Sequence, residues 1–232
     1  MLPRNKILEA IKESTERAQL NSKEYTLFGR IYVYVNSPIM SGIDIRSVIG
    51  KIEDIMPPHL MDEIDEIFIG MFDENEDRSL EAHYENGAIF ISNLLPTETD
   101  YIENIVHETS HSLEGRYGLS IYGDKKIEEE FLGKRRRLYN ILKQEGYDVA
   151  LYDFEDVEYT KEFDNFLYQD VGYATLNNVV LGLFISPYAA TSLREYFANG
   201  FEEYFLEDKN YLRDISMQLY HKILELIEND SL

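Results

Sequence analysis

Apolar residues change their period several times along the chain, and each change marks an element. Ile7, Leu8, Ile11 and Ala18 recur at helical spacing among charges, which predicts an amphipathic helix over residues 4–20. Arg30 to Asn36 is dense in β-branched and aromatic residues and predicts a strand, as does Glu66 to Phe72. Between them, Ile45 to Ile55 reads as a helix stopped by Pro57-Pro58. Leu80 to Tyr84 and Ala88 to Ser92 flank Glu85-Asn86-Gly87, and an Asn-Gly pair between strand-like runs is a strong hairpin signal.

Helical periods dominate the rest. Thr97 followed by Asp100 is a capping-box pattern, Ile102, Ile105, Val106 and Leu113 form a narrow apolar stripe, and Gly115 offers a stop. A helix is therefore expected from about Thr99 to Glu114. Lys126 to Glu145 should be another, with Lys134-Arg135-Arg136-Arg137 splayed round it as a solvated, salt-bridged face. Tyr147 to Asp170 shows no period. In Ser192 to Phe205, Phe197, Phe201 and Phe205 form one stripe and Glu195, Asn199 and Glu202 another, so one face packs and the other is polar. Leu212, Ile215, Leu219, Ile223 and Leu226 predict one closing helix, with His221 beside its apolar stripe.

Composition narrows the partners. The 232 residues are 44% hydrophobic and 28% charged, which suits an ordered protein with a sizeable core. A formal charge of −22 repels polyphosphates and anionic lipid, so neither nucleic acid nor a membrane surface is expected, and a basic or neutral peptide fits better. Without cysteine there is no disulfide framework and no thiolate metal site. The charged start lacks the pattern of a secretory signal and the run Val179 to Ile185 is too short to cross a bilayer, so the expected location on synthesis is cytoplasmic. Asp73 to Asp77 is acidic but lacks the glycine and closing glutamate of a calcium loop, and reads as a solvated turn.

Chemistry concentrates in His107-Glu108-Thr109-Ser110-His111. Four residues advance a helix by about 400°, so the two imidazoles share a face and can reach one ion. Neutral imidazole suits zinc, and Glu108, about 100° round, is placed to take a proton from a water without ligating the metal. A catalytic zinc typically keeps three protein ligands. No histidine follows at short spacing, so a carboxylate from a later helix is required, and Glu195, Glu202 and Glu203 are the candidates. Asn199, one turn after Glu195, could accept from a ligand histidine's free N–H. His59 lies beside the proline pair and His83 in a strand; both read more simply as ordinary solvated or half-exposed residues.

Thr191-Ser192-Leu193-Arg194-Glu195-Tyr196-Phe197-Ala198-Asn199-Gly200-Phe201, preceded by Tyr188, resembles the glutamate helix of the zinc-protease domain of anthrax lethal factor and the clostridial Pro-Pro endopeptidases. The resemblance implies that His107, His111 and Glu195 ligate zinc, that Glu108 is the general base, and that Tyr188, seven residues before Glu195, donates to the oxyanion. It covers about residues 100–113 and 186–206. Two departures stand out. Glu195 lies 84 residues after His111, a long gap that predicts an insertion or extra helices over 116–180, and Asn199 stands where the family often has a second glutamate.

The expected fold is therefore α+β and zincin-like, a single catalytic domain. Residues 1–115 would form an α/β lobe with a small twisted sheet, residues 116–232 a mostly helical lobe supplying the glutamate, and the active site would lie in the cleft between them. The expected activity is zinc-dependent endoproteolysis of a protein or peptide held extended, with residues 80–92 offering a strand edge for it. A catalytically inactive zincin-like binding or regulatory module is the alternative. The intact Glu108 argues against it, and the missing fourth protein ligand argues against a purely structural zinc site.

Overall fold

The computed structural model describes residues 23–72 and 81–228. The helix expected over 4–20 and the acidic turn at 73–77 lie outside them. Two compact units result, Met1–Ser112 and Leu113–Leu232. The architecture is α+β, an open five-stranded sheet together with helices.

In the first unit, strands β1 (Lys23–Leu27), β2 (Ile31–Val35), β3 (Glu66–Gly70), β4 (Ala82–Glu85) and β5 (Ala88–Ser92) lie in the order β1-β2-β3-β5-β4. β2, β3 and β5 run parallel and the two outer strands antiparallel to their neighbours. Strict alternation sorts the two faces. Ile31, Val33, Val35, Ile67, Ile69, Ile89 and Ile91 are buried on one face, while Tyr34, Phe68, Phe90 and His83 stack in sequence along the other. β4 and β5 meet as the Asn-Gly signal requires, with Asn86 and Gly87 both at positive φ (49° and 86°). β1 adds a strand beyond those expected from the sequence; it joins β2 through Phe28 and Gly29, again both left-handed, and Glu53 accepts the Phe28 N–H at 2.6 Å.

Helix α1 (Ile45–Ile55) buries Ile45, Val48, Ile49 and Ile52 and is capped by Asp44, whose side chain accepts from the Arg46 N–H. Helix α2 (Glu98–Tyr122) opens on the predicted capping box: Thr97 N–H donates to Asp100 at 2.8 Å and Asp100 N–H returns to Thr97 Oγ1 at 3.2 Å. Glu98 then accepts the Asp44 N–H, tying the starts of α1 and α2 together.

The expected stop at Gly115 does not occur. Leu113, Tyr117 and Ile121 continue the buried stripe at every fourth position, and that burial carries the helix through Gly115 and Gly118 to residue 122. Neither glycine has a positive φ, and a Cβ built on either would meet nothing within 4 Å. Gly115→Ala and Gly118→Ala should each raise the unfolding free energy by about 0.5–1 kcal/mol, read as a higher urea midpoint at unchanged slope. A fall in midpoint would mean that the helix needs glycine there.

The second unit contains α3 (Lys126–Gln144), the short α4 (Lys161–Asn165), a π-helical stretch Phe166–Gly172, α5 (Tyr173–Val179), α6 (Leu193–Leu206), α7 (Lys209–Ile215) and α8 (Met217–Glu228). Helices occupy much of the long interval before Glu195. The aperiodic segment after residue 147 packs as an aromatic cluster of Tyr152, Phe154, Phe163 and Phe166.

Only half of the basic cluster on α3 is the solvated face expected. Arg136 forms a bidentate pair with Glu155, and Arg137 is exposed beside it. Lys134 and Arg135 are buried, 6% and 1% exposed. Their charges go to backbone carbonyls: Lys134 Nζ donates to Leu183 and Ile215 at 2.5 and 2.7 Å, and burial pushes its ammonium down to about 8 against the pull of Glu130.

The single closing helix is two. α7 ends at Ser216, fully buried, whose hydroxyl accepts a third bond from Lys134. Glu130, one turn before Lys134 on α3, accepts the Gln218 and Leu219 N–H groups at the start of α8. An ammonium thus sits at the C-terminal carbonyls of one helix and a carboxylate at the N-terminal amides of the next, each at the end its charge suits. The apolar period of the sequence runs straight through this break, which hides it.

Candidate metal centre

α2 presents His107 and His111 one turn apart, their ring centroids 4.9 Å apart and their Nε2 atoms 3.2 Å apart. Two nitrogens bound at about 2.1 Å to one tetrahedral ion stand roughly 3.4 Å apart, so the pair is spaced for a shared ion. Glu108 lies between them in sequence and is buried, 7% exposed. The neighbouring hydroxyls are satisfied within the helix: Thr109 donates to the Ile105 carbonyl, Ser110 to His107 and Ser112 to Thr109, all within 2.7 Å. That internal bonding is what lets so polar a stretch be buried.

α6 begins at Ser192, whose Oγ accepts the Glu195 N–H at 3.1 Å. Glu195 therefore lies in the first turn of α6. The approach to that turn is pinned twice. Leu193 N–H donates to the Val157 carbonyl at 2.8 Å, and Arg135 donates to the carbonyls of Ala190 and Thr191 at 2.6 and 3.2 Å.

Tyr188 starts the short turn Tyr188–Ala190 just before it, and its carbonyl accepts from Thr191 N–H and Oγ1. Burial, then the nearby charge of Glu195, pushes its phenol far above the ordinary tyrosine value, so it remains a hydrogen-bond donor at neutral pH.

His107, His111 and Glu195 each offer a ligand atom, and the three atoms lie within 4.8 Å of one another. Two imidazoles and a carboxylate are a donor set that can hold a divalent cation and leave a coordination position open. Glu202 and Glu203, the other acids considered, are not part of this group. Glu203 instead accepts the Asp208 N–H beyond the end of its helix. His59 sits in the turn Pro58–Met61, His83 stacks on Phe90 at 4.9 Å, and His221 lies against the Tyr220 ring.

Asn199 does something other than orient an imidazole. Its Nδ2 donates to the Glu195 carbonyl at 2.9 Å and its Oδ1 accepts from Ser186 Oγ at 2.5 Å. Ser186 Oγ in turn accepts the Ala189 N–H at 3.1 Å. The amide therefore fixes the turn carrying Tyr188 against the turn carrying Glu195, all within the second unit. The signal for Ser186 in the sequence is the Ser-Pro pair directly before Tyr188, a turn-initiating pair. Arg135 carries no such signal, because charge in a basic run predicts exposure. Comparison with known proteins returns no matching family model, no matching curated protein and no matching solved structure.

Proposed function

We propose that the chain is a zinc-dependent endopeptidase, as the lethal factor-like resemblance implies. The observation that carries the reading is the grouping of His107, His111 and Glu195 with Glu108 adjacent to the first ligand. His107, His111 and Glu195 would hold the ion, which when bound supplies Lewis acidity to a water and to a scissile carbonyl. Glu108 takes the proton of the attacking water and passes it to the leaving amine. Tyr188, a protonated phenol, donates to the oxyanion of the tetrahedral intermediate.

An extended substrate would bind in the first unit, along the edge of the sheet. β4 forms one edge of the sheet. Ser92 N–H donates to the Glu81 carbonyl, so by antiparallel alternation the backbone groups of Ala82 and Tyr84 point away from β5. A peptide pairing there would add a sixth strand by main-chain hydrogen bonds alone. With a net charge of −22, a basic or neutral segment is the favoured occupant.

The rival reading, an inactive binding module of the same type, needs no general base. Metal analysis of the purified protein, followed by a peptide-library digest with and without a chelator, separates the two. Bound zinc at one per chain with chelator-sensitive cleavage is the expected result. Bound zinc with no cleavage of any peptide would select the inactive module, and a chain that takes up no zinc would remove both.

A further inference from the structure

Resting on that reading, we propose that the ion pair between Glu114 and Arg194 is a positioning device for the metal ligand Glu195 and sets the affinity of the site for zinc. Glu114 stands three residues after His111 on α2, and Arg194 directly precedes Glu195 on α6. Arg194 Nε donates to Glu114 Oε2 at 2.5 Å. The other oxygen is held as well: Tyr122, two turns further along α2, donates its hydroxyl to Glu114 Oε1 at 2.6 Å. Tyr122 itself meets the Phe197 ring edge-on at 6.2 Å, so the anchor is braced by the helix that carries Glu195.

Two consequences follow for the ligand. The helical register of α6 is fixed at the residue next to Glu195, on a carboxylate one turn from His111. Arg194 is also kept on Glu114. Without that partner, a guanidinium next in sequence to Glu195 is drawn to the nearest remaining carboxylate, and a ligand neutralised by arginine is a weaker ligand for a cation. The arginine side chain is 56% exposed, so the pair adds little to folding stability itself. Its effect should appear in metal binding.

The test is a zinc titration of the full chain against a competing chromogenic chelator, for wild type, Glu114→Gln, Arg194→Met and the double variant, with thermal midpoints of the metal-free proteins. Glu114→Gln should weaken zinc binding by about 10- to 100-fold, the range typical when a partner of a metal ligand is lost. Arg194→Met should weaken it less, because it removes the anchor without freeing a competing cation. The double variant should match Arg194→Met, since no guanidinium is left to compete. Metal-free midpoints should stay within a few degrees of wild type. Wild-type affinity in both single variants would overturn the positioning role while leaving the metal site standing. A wild-type chain that binds no zinc, with Glu195→Ala indistinguishable from it, would overturn the reading of the site and the positioning role with it.

Discussion

Glu108→Gln should retain zinc and lose at least about 10²–10⁴-fold in kcat/KM toward a cleavable peptide, the range that a positioned general base contributes. Glutamine keeps the size of the side chain and its place on the helix but cannot take a proton. Glu108 is also outside the group of ligand atoms formed by His107, His111 and Glu195, so its replacement leaves the donor set intact. His107→Ala supplies the contrast: it removes one of the two nitrogens that stand 3.2 Å apart, and both metal and hydrolysis should disappear together. Metal content and steady-state kinetics on the same preparations decide the matter. Equal rates in wild type and Glu108→Gln would remove Glu108 from the role of general base, because the proton of the attacking water would then have another acceptor.

The residues of this site differ in how plainly the sequence announced them. His107, Glu108 and His111 were legible because helical geometry alone relates them, and the Thr97–Asp100 cap that begins their helix is equally local. The Asn-Gly hairpin is legible for the same reason, since the left-handed pair at 86–87 is a property of two residues. Glu195 required a resemblance, because no local period could choose among three acidic residues within nine positions. What escaped was decided by contacts far apart in sequence. Leu113, Tyr117 and Ile121 outweigh two glycines, Ser216 breaks an uninterrupted apolar stripe, and Arg135 lies buried inside a run of four cations. In each case burial against a distant element overrode the local preference.

Arg135→Met should cost about 3 kcal/mol of stability, because it leaves several buried carbonyls without their donor. The guanidinium is 1% exposed and stacks over the Phe163 ring with Cζ 3.9 Å from its centroid. Nη1 donates to the carbonyls of Ala190 and Thr191, and Nη2 to those of Asp153 and Asp156 at 3.1 and 3.2 Å. Methionine can fill much of the volume over the ring but donates to none of these four oxygens, and each buried carbonyl that loses its donor carries a desolvation penalty of about 1–3 kcal/mol. Lysine keeps the charge but not the fork, so Arg135→Lys should fall between wild type and Arg135→Met. Because two of the four carbonyls belong to the turn joining Tyr188 to Ser192, the loss should also loosen the start of α6 and weaken zinc binding in whatever folded protein remains. Urea unfolding followed by a zinc titration measures both effects. If Arg135→Met unfolds within about 1 kcal/mol of wild type, a value typical of surface changes, then water or relaxation satisfies those carbonyls and the arginine is not what pins the turn.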